Sequence, residues 1–307
     1  MDWYRQVDLP KRFPSVMDFS LLMPRLDPYG VVNNEFRVRL IQGSVLNVSN
    51  KIDRSSGLTI VVLNLNKPEL VKSIQDGFLK VRATFLDAGI PCELIIGDTG
   101  STDPEAVKLL SDSLDGMTVE HNMKYQFSRC NNDLFRKVRT NTVLFLNNDV
   151  LIDDNPESIK MAYDLLHSDE NTAAVSAVLH FENGTLQHGG IDFLHIPSHE
   201  GFCYHPGAQQ PRESQPGKSF PMAAGTGAFL MVRSELFAKV GGFDEAYQAE
   251  CQDVDLCLRL KRLGYDIQIG DFGRLVHLEN ATRPTGEENW EDRSLYMRRW
   301  SGFVSTL

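Results

Sequence analysis

The chain has 307 residues and a formal net charge of −10, with 42% hydrophobic and 23% charged residues. Its length permits a full hydrophobic core in one large domain or two small ones, and its composition is that of an ordinary globular protein. The negative charge argues against a general nucleic-acid-binding protein, which would need a basic surface.

Neither a membrane span nor a secretory signal is evident in the sequence. No stretch approaches the roughly 18 apolar residues of a transmembrane helix, and residues 1–5 do not begin an apolar signal-peptide core. We therefore expect a cytoplasmic protein. The five cysteines form no CxxC pair, so the sequence predicts reduced thiols rather than a disulfide framework or a zinc site.

Residues 1–56 differ from the rest of the chain in their sequence pattern. Prolines are scattered through them, and only residues 36–40 alternate in the manner of a strand. We interpret 1–56 as an N-terminal extension that packs on the main domain, with a partner- or acceptor-binding arm as the alternative. The main domain is then predicted to span residues 57–307.

An α/β pattern begins at Leu58. The apolar runs Leu58–Leu63 and Cys92–Ile96 predict buried strands. A helix is predicted to begin at Pro68 after the first strand, and another at Pro104 after the second, because proline suits the first helical position. Asp103 precedes the second helix and is predicted to be its N-cap.

The same alternation continues toward the middle of the chain. A short strand is predicted at 117–120, a helix from Phe127 to about Arg139, a strand at Val143–Leu146, and a helix behind Asn155-Pro156. Strands that alternate with helices favour a mainly parallel sheet with right-handed crossovers. In such sheets, ligands bind beyond the carboxyl ends of the strands.

Three oxygen-bearing side chains, Asn147, Asn148 and Asp149, directly follow the Val143–Leu146 strand. Carboxylate and amide oxygens at a strand end suit a hard cation such as Mg²⁺ or Mn²⁺ that carries a phosphorylated substrate. An Asn/Asp-rich turn that merely ends the strand is the alternative.

After residue 172 the alternation gives way to a less regular pattern. A strand at 173–181 and a hairpin turn at Asn183-Gly184 are predicted, followed by a long loop at 195–221 that we interpret as an acceptor-side lid. The histidines of this loop have irregular spacing and do not favour a metal site. The stretch at 224–232 predicts a small-residue loop followed by a strand, in which Gly225 and Gly227 would let a ligand approach the backbone, with a bulge in the strand as the alternative.

Near its C-terminal end the sequence predicts a helix that carries an aspartate in its first turn. Residues 250–264 predict a helix that ends at Gly264, with Asp253 in its first turn, where the helix dipole stabilises a negative charge. Short strands are predicted around Ile267 and Leu275, and a final helix from Glu287 to about Trp300.

Together these motifs resemble the inverting family 2 glycosyltransferases of the GT-A fold, particularly the bacterial branch that builds O-antigen and other surface polysaccharides. The resemblance covers about Leu58 to Trp300 and implies a Rossmann-like, mixed but mainly parallel α/β sheet flanked by helices. The matching motifs, in chain order, are Val61-Val-Leu-Asn-Leu-Asn66, Asp98-Thr-Gly-Ser-Thr-Asp103, Phe127-Ser-Arg-Cys-Asn-Asn132, Leu146-Asn-Asn-Asp149, Gly241-Gly-Phe-Asp-Glu245, Gln252-Asp253-Val-Asp-Leu-Cys-Leu-Arg-Leu260 and His277-Leu-Glu-Asn-Ala-Thr-Arg283.

The resemblance implies roles for individual residues. Asp149 and His277 are expected on the metal, and Asp253 is expected to be the general base, with Asp255 as the alternative base. Two departures stand out, because Asn147 replaces the first acid of the DxD-type motif and Gln252 replaces the glutamate before the base. The expected nucleotide and diphosphate contacts are Asn64, Asn66, Asp98, Arg129, Asn132, Asn147, Asn148, Gly225 and Arg283.

The implied reaction is transfer of a sugar, with inversion, from a UDP-, dTDP- or GDP-linked donor to a hydroxyl of a glycan or lipid-linked glycan acceptor, with Mg²⁺ or Mn²⁺ as cofactor. A lipid-linked acceptor would place the protein at the inner face of the membrane, where residues 298–300 (Arg-Arg-Trp) offer a peripheral contact. Two alternatives stay open: a non-catalytic glycosyltransferase-like module that binds glycans or scaffolds a synthase, and a sugar nucleotidyltransferase. The second lacks a Gly-rich, basic phosphate loop after the first strand.

Overall fold

The computed structural model of the chain describes residues 54–195, 201–278 and 289–307. The strand-like alternation at 36–40 and nearly all of the predicted extension lie outside these ranges, as do Arg283 and the predicted start of the last helix.

The first half of the domain is a parallel α/β unit whose strands lie in the order β4, β1, β2, β3. Asp103 caps its second helix as predicted, since its carboxylate accepts the backbone N–H groups of Glu105 and Ala106. The elements are β1 (Ser55–Asn64), α1 (Pro68–Asp87), β2 (Cys92–Asp98), α2 (Pro104–Ser111), β3 (Met117–Glu120), α3 (Phe127–Phe135) and β4 (Thr140–Asn147).

The second half extends the same sheet with strands of both directions. Its elements are β5 (Val150–Leu151), α4 (Glu157–Ser168), β6 (Thr172–His180), β7 (Leu186–His188), β8 (Asp192–Phe193), β9 (Cys203–Tyr204), β10 (Ser219–Met222), β11 (Phe229–Arg233), α5 (Ser234–Lys239), α6 (Gln252–Arg262), β12 (Asp266–His277) and α7 (Trp290–Val304).

The main sheet is mixed, with the order β10-β12-β6-β11-β4-β1-β2-β3, and β5 and β7 attached to β12 and β6. Strand β11 runs antiparallel to both of its neighbours, β4 and β6, whereas β12 is parallel to β6. The expected mixed α/β sheet with flanking helices is therefore confirmed.

The core consists of two apolar layers, one on each face of the sheet. Alternate residues of one strand enter opposite layers, as Ile60 and Val61 of β1 and Leu144 and Phe145 of β4 show. This follows from the period of two along a strand and explains why these strands read as continuous apolar runs in the sequence.

Two sequence predictions differ from the structure. The two short strands predicted around Ile267 and Leu275 are one strand, β12, with a register shift between Gly270 and Leu275. The loop predicted at 195–221 contains β9 and β10, which are too short to leave a periodic pattern.

Candidate active site

Polar side chains from three neighbouring strands meet at the carboxyl edge of the sheet. In the strand register, Asn64 of β1 is paired with Asp98 of β2, and Leu63 is paired with Asn147 of β4. The Asn148 amide donates to Asn64 Oδ1 over 2.8 Å. The sequence reasoning that placed these residues together is consistent with this register, because parallel strands end at the same edge.

A cleft of about 520 Å³ opens at this edge. The predicted metal ligands Asp149 and His277 line it, and so does the predicted base Asp253. Aromatic side chains form much of the remaining wall: Tyr125, Phe127, Phe202 and Tyr204. The cleft therefore combines carboxylates with flat apolar surfaces, as small-molecule sites commonly combine a few polar groups with an apolar wall.

Asp149 and His277 are brought together by the pairing of β5 with the end of β12. Val150 is paired with His277 in this ladder, and the Leu278 N–H donates to the Asp149 carbonyl over 3.0 Å. His277 Nε2 lies 3.1 Å from Asp149 Oδ1. The two side chains are thus held face to face although they are far apart in the chain.

The hydrogen bonds around this pair leave room for a cation. His277 Nδ1 lies 2.6 Å from Gln187 Oε1, an acceptor that requires the proton on Nδ1. The lone pair of Nε2 then faces the Asn147 amide nitrogen, 3.4 Å away, and Asp149 Oδ1, a buried atom with no hydrogen-bond partner. Two electron-pair donors that face each other in this way suit a shared divalent ion, and Gln187 orients the histidine from behind.

The protein by itself supplies only part of a coordination shell. In the part of the chain that the structure describes, no group of three or more His, Cys, Asp or Glu side chains could hold a metal. Mg²⁺ and its analogues in nucleotide sites commonly use one or two protein ligands together with substrate phosphates and water. Asp149 and His277 would supply two protein ligands of this kind.

Asp253 stands in the first turn of α6 and lines the same cleft. Its Oδ2 accepts the Gly227 N–H over 2.7 Å, and its Oδ1 accepts the Val254 N–H over 2.9 Å. These bonds fix the carboxylate while it lines the cleft. Asp255 is 1% exposed and binds Trp300 and Arg259, so the structure places the alternative base in the protein interior.

Two of the predicted nucleotide contacts, Asn66 after β1 and Asp98 at the end of β2, both accept hydrogen bonds from the loop that follows β2. The Asn66 amide oxygen accepts the N–H groups of Thr102 and Asp103, and Asp98 Oδ1 accepts the Ser101 N–H. These bonds hold the loop after β2 against the end of β1. Asn66 lies outside the cleft, in a shallow surface hollow shared with Asp103.

Asn64 and Asp98 do not line the cleft, and neither do three other predicted contacts. Asn132 is fully buried, and its amide binds the backbone of Phe243 in the Gly-Gly-Phe turn. Arg129 lies outside the cleft and pairs with Glu245 over 3.4 Å. Gly225 packs against β6, since a Cβ atom built there would lie 2.3 Å from Ser176 Cβ. The structure gives Asn132 and Gly225 packing roles.

Sequence reasoning missed several residues that line or shape the cleft. Gly227 is not one of them, because the sequence had already singled it out together with Gly225, and it is the glycine whose N–H donates to Asp253. Gln187, which orients His277, has no sequence signal because its partner is distant in the chain. Glu250 and Arg293 line the cleft as an ion pair with an N to O distance of 2.7 Å.

Two thiols also line the cleft, Cys203 on β9 and Cys251 immediately before α6. A hydrogen bond from the Cys251 thiol lowers the pKa of Cys203, and the same bond together with burial raises the pKa of Cys251. One proton shared between two sulfurs accounts for both directions.

The membrane contact suggested for residues 298–300 finds little support in the side-chain positions. Trp300 is 3% exposed and its indole donates to Asp255, while Arg299 pairs with Asp244. Arg298 alone of the three is exposed. Across the described ranges, no helix has both the length and the apolar character needed to cross a membrane.

Comparison with solved structures identifies the fold class. The structure resembles a mannosyltransferase from Pyrobaculum calidifontis in complex with GDP-Man and Mn²⁺, with a TM-score of 0.52, 14% identity, and coverage of 88% of this chain and 79% of that one. It also resembles GalNAc-T7 with UDP, GalNAc and Mn²⁺, with a TM-score of 0.57, 12% identity, and coverage of 87% and 54%. The fold is that of the GT-A glycosyltransferases, as the sequence motifs implied.

The sequence match is more specific. Residues 60–269 match the glycosyltransferase-like family 2, and the chain belongs to this family. The O-antigen biosynthesis protein RfbC of Myxococcus xanthus is 29% identical over 235 residues, which are 74% of this chain and 18% of that protein. The chain spans about a fifth of the length of the curated relatives it matches.

Proposed function

We propose that this protein is a metal-dependent, inverting glycosyltransferase that moves a sugar from a nucleoside-diphosphate donor to a hydroxyl of a glycan or lipid-linked glycan. The observation that carries the proposal is the placement of the Asp149–His277 pair and Asp253 in one cleft. Membership of the glycosyltransferase-like family 2 supports this reaction over nucleotidyl transfer.

Asp149 and His277 are the residues that would hold the cation. A bound divalent ion would neutralise charge that develops on the diphosphate leaving group. The neighbouring amides of Asn147 and Asn148 add uncharged polar groups to the same edge of the cleft. The solved neighbours crystallised with Mn²⁺ support a divalent ion of this kind.

Asp253 is proposed to accept the proton of the acceptor hydroxyl as that oxygen attacks the anomeric carbon. Such general-base assistance typically contributes about 10²- to 10⁴-fold in rate. A single displacement without a covalent intermediate inverts the anomeric centre. The backbone N–H groups of Gly227 and Val254 hold the carboxylate in place for this step.

The donor class is proposed to be a UDP-, dTDP- or GDP-linked sugar, since the structural neighbours were solved with GDP-Man and with UDP. The O-antigen role named for RfbC supports a surface polysaccharide or its lipid-linked precursor as acceptor. An acceptor of that kind would bring the protein to the inner face of the membrane.

Replacement of Asp253 by Asn tests the proposal. The amide keeps the size of the carboxylate, so we expect the variant to fold, to bind UDP or GDP with Mn²⁺ as the wild type does, and to lose transfer by about 10²- to 10⁴-fold. Release of nucleoside diphosphate from a panel of sugar donors measures the rate. A variant that keeps most of its turnover would show that Asp253 is not the base. A wild type that binds donor and glycan but transfers nothing would favour the non-catalytic alternative.

A further inference from the structure

A carboxylate outside the family match holds the segment that leads to Asp253. Asp292, in the first turn of α7, accepts the Gln248 N–H on Oδ1 and Oδ2 at 3.0 and 2.9 Å. Its Oδ2 also accepts the N–H groups of Ala249 and Glu250 at 2.7 and 2.9 Å. Three consecutive backbone donors thus converge on one side chain.

The position of Asp292 makes these bonds strong. The residue is 2% exposed, so its charge is withdrawn from water and compensated by the N–H groups it accepts. Its own N–H donates to the side chain of Asn289, which caps α7. Charge at the first turn of a helix is further stabilised by the helix dipole. We call the hydrogen bonds from the backbone of residues 248–250 to the Asp292 carboxylate the clamp, and this clamp is anchored in helix α7.

The clamped segment continues directly into the predicted base. Cys251 joins it to α6 with a left-handed backbone, at φ of 64°, and makes no side-chain cap. A non-glycine residue holds such a conformation only when its surroundings impose it. Asp253 follows two residues later, so the direction in which α6 presents its carboxylate depends on where residues 248–250 are held.

A second contact between the same elements supports the clamp. Arg293, the neighbour of Asp292, pairs with Glu250 over 2.7 Å, and its guanidinium lies 5.4 Å from the ring centre of Phe202. Glu250, Arg293 and Phe202 all line the cleft. The first turn of α7 therefore contributes both to the wall of the cleft and to the support of its base.

We propose that Asp292 is a positioning residue for glycosyl transfer, which fixes Asp253 by holding residues 248–250. The inference rests on the proposed function of Asp253. The family match ends at residue 269, so this part of the active site is supplied by an element beyond it.

The test compares Asp292→Asn with a matched control, Asp271→Asn. Asp271 is fully buried, accepts the Ser214 hydroxyl and the backbone N–H groups of Gln215 and Gly273, and does not line the cleft. Both changes remove a buried charge that accepts backbone N–H groups, so both lower stability. Only the first acts on the segment before Asp253.

Two measurements on the full chain decide the outcome. Hydrogen exchange followed by mass spectrometry reports on the amides of 248–252, and nucleoside-diphosphate release from UDP-, dTDP- and GDP-linked hexoses with Mn²⁺ and alkyl glycoside acceptors gives kcat and the donor KM. For Asp292→Asn we expect faster exchange at 248–252 and a kcat lower on the order of 10²-fold, with the donor KM unchanged. For Asp271→Asn we expect the wild-type exchange rate at 248–252, the wild-type kcat and the wild-type donor KM.

Equal exchange in the two variants would overturn the clamp, and an Asp292→Asn variant with wild-type kcat would overturn the positioning role. A parallel fall of kcat in both variants would mark a general loss of stability and would also refute it. If the wild type transfers no sugar, the proposed function fails, while the exchange measurement still decides whether Asp292 holds the segment.

Discussion

At the scale of single residues, the metal-ligand assignment depends on Asp149. Its Oδ1 is buried, faces His277 Nε2 and takes no hydrogen bond. We expect Asp149→Ala to weaken the binding of UDP or GDP in the presence of Mn²⁺ by at least about tenfold, or about 1.4 kcal/mol. Binding without Mn²⁺ should change little. Isothermal titration calorimetry measures both, with Asp253→Asn as the control that keeps the metal site. Unchanged affinity with Mn²⁺ would remove Asp149 from the set of ligands.

The thiol pair of the cleft leads to a pH-dependent prediction. Because the Cys251 thiol donates a hydrogen bond, the pKa of Cys203 is lowered and its thiolate forms at a lower pH than that of an ordinary cysteine. Cys203 should therefore react with iodoacetamide first, well before Cys92 and Cys257, where burial raises the pKa to about 12.

Mass spectrometry of peptides after timed alkylation measures this order. Cys251→Ala removes the donor, so the pH at which Cys203 alkylation reaches half its maximal rate should rise, whereas Cys251→Ser keeps a donor and should move it less. A pH profile of Cys203 that is the same in the wild type and in Cys251→Ala would contradict the assignment of the hydrogen bond.

At the scale of elements, the packing of the loop before β11 against β6 depends on Gly225. A Cβ atom there would lie 2.3 Å from Ser176 Cβ. Gly225→Ala should lower the free energy of unfolding by about 1–3 kcal/mol, the usual cost of overpacking. Urea denaturation measures the change.

Ser176→Gly supplies the partner variant for this contact. It removes the atom that the new methyl group meets, so the double variant should be more stable than the sum of the two single changes predicts. Additive effects would show that the cost of Gly225→Ala arises elsewhere than at Ser176.

At the scale of the whole molecule, binding of a nucleotide at the proposed donor site should raise the stability of the folded protein. A ligand that binds only the native state at a concentration about 100 times its Kd adds about 2.7 kcal/mol of stability. For a domain of this size that corresponds to a rise in Tm of roughly 2–4 °C per kcal/mol. We expect a rise with one of UDP, dTDP or GDP that requires Mn²⁺ or Mg²⁺.

A thermal-shift screen of the three nucleotides with and without each metal ion tests this expectation. The Asp149→Ala variant should lose the metal-dependent part of the rise in Tm, and it should still show a cooperative thermal unfolding transition. Failure of every nucleotide and metal combination to raise Tm would contradict a nucleotide-diphosphate donor site in this cleft.

Much of the parallel half of the domain could be predicted from local pattern. The apolar runs of β1, β2 and β4, and the proline and Asp103 at helix starts, depend on residues adjacent in sequence. Boundaries were less predictable in the second half. There the long strand β12 changes register in its middle, and β9 and β10 are too short for any periodicity to appear.

Some residues of the candidate site could likewise be predicted from the sequence, and others could not. Asp149 and Asp253 could be selected from motif order, and both line the cleft. Asn132, from another matching motif, and Gly225, from the small-residue stretch, pack in the interior, because a sequence pattern does not state whether a residue faces a ligand or a neighbouring element. Gln187 and Asp292 act on residues distant in the chain and carry no local signal.

The sequence by itself determined the order of strands and helices in the parallel half and the polar residues at its strand ends, because these follow from apolar periodicity and helix capping between near neighbours. Only the tertiary structure decided which of these residues meet. The pairing of β5 with β12 places His277 beside Asp149, and the packing of α7 places Asp292 under the segment that leads to Asp253. Such contacts depend on how the sheet closes and how the last helix packs, which no local pattern specifies.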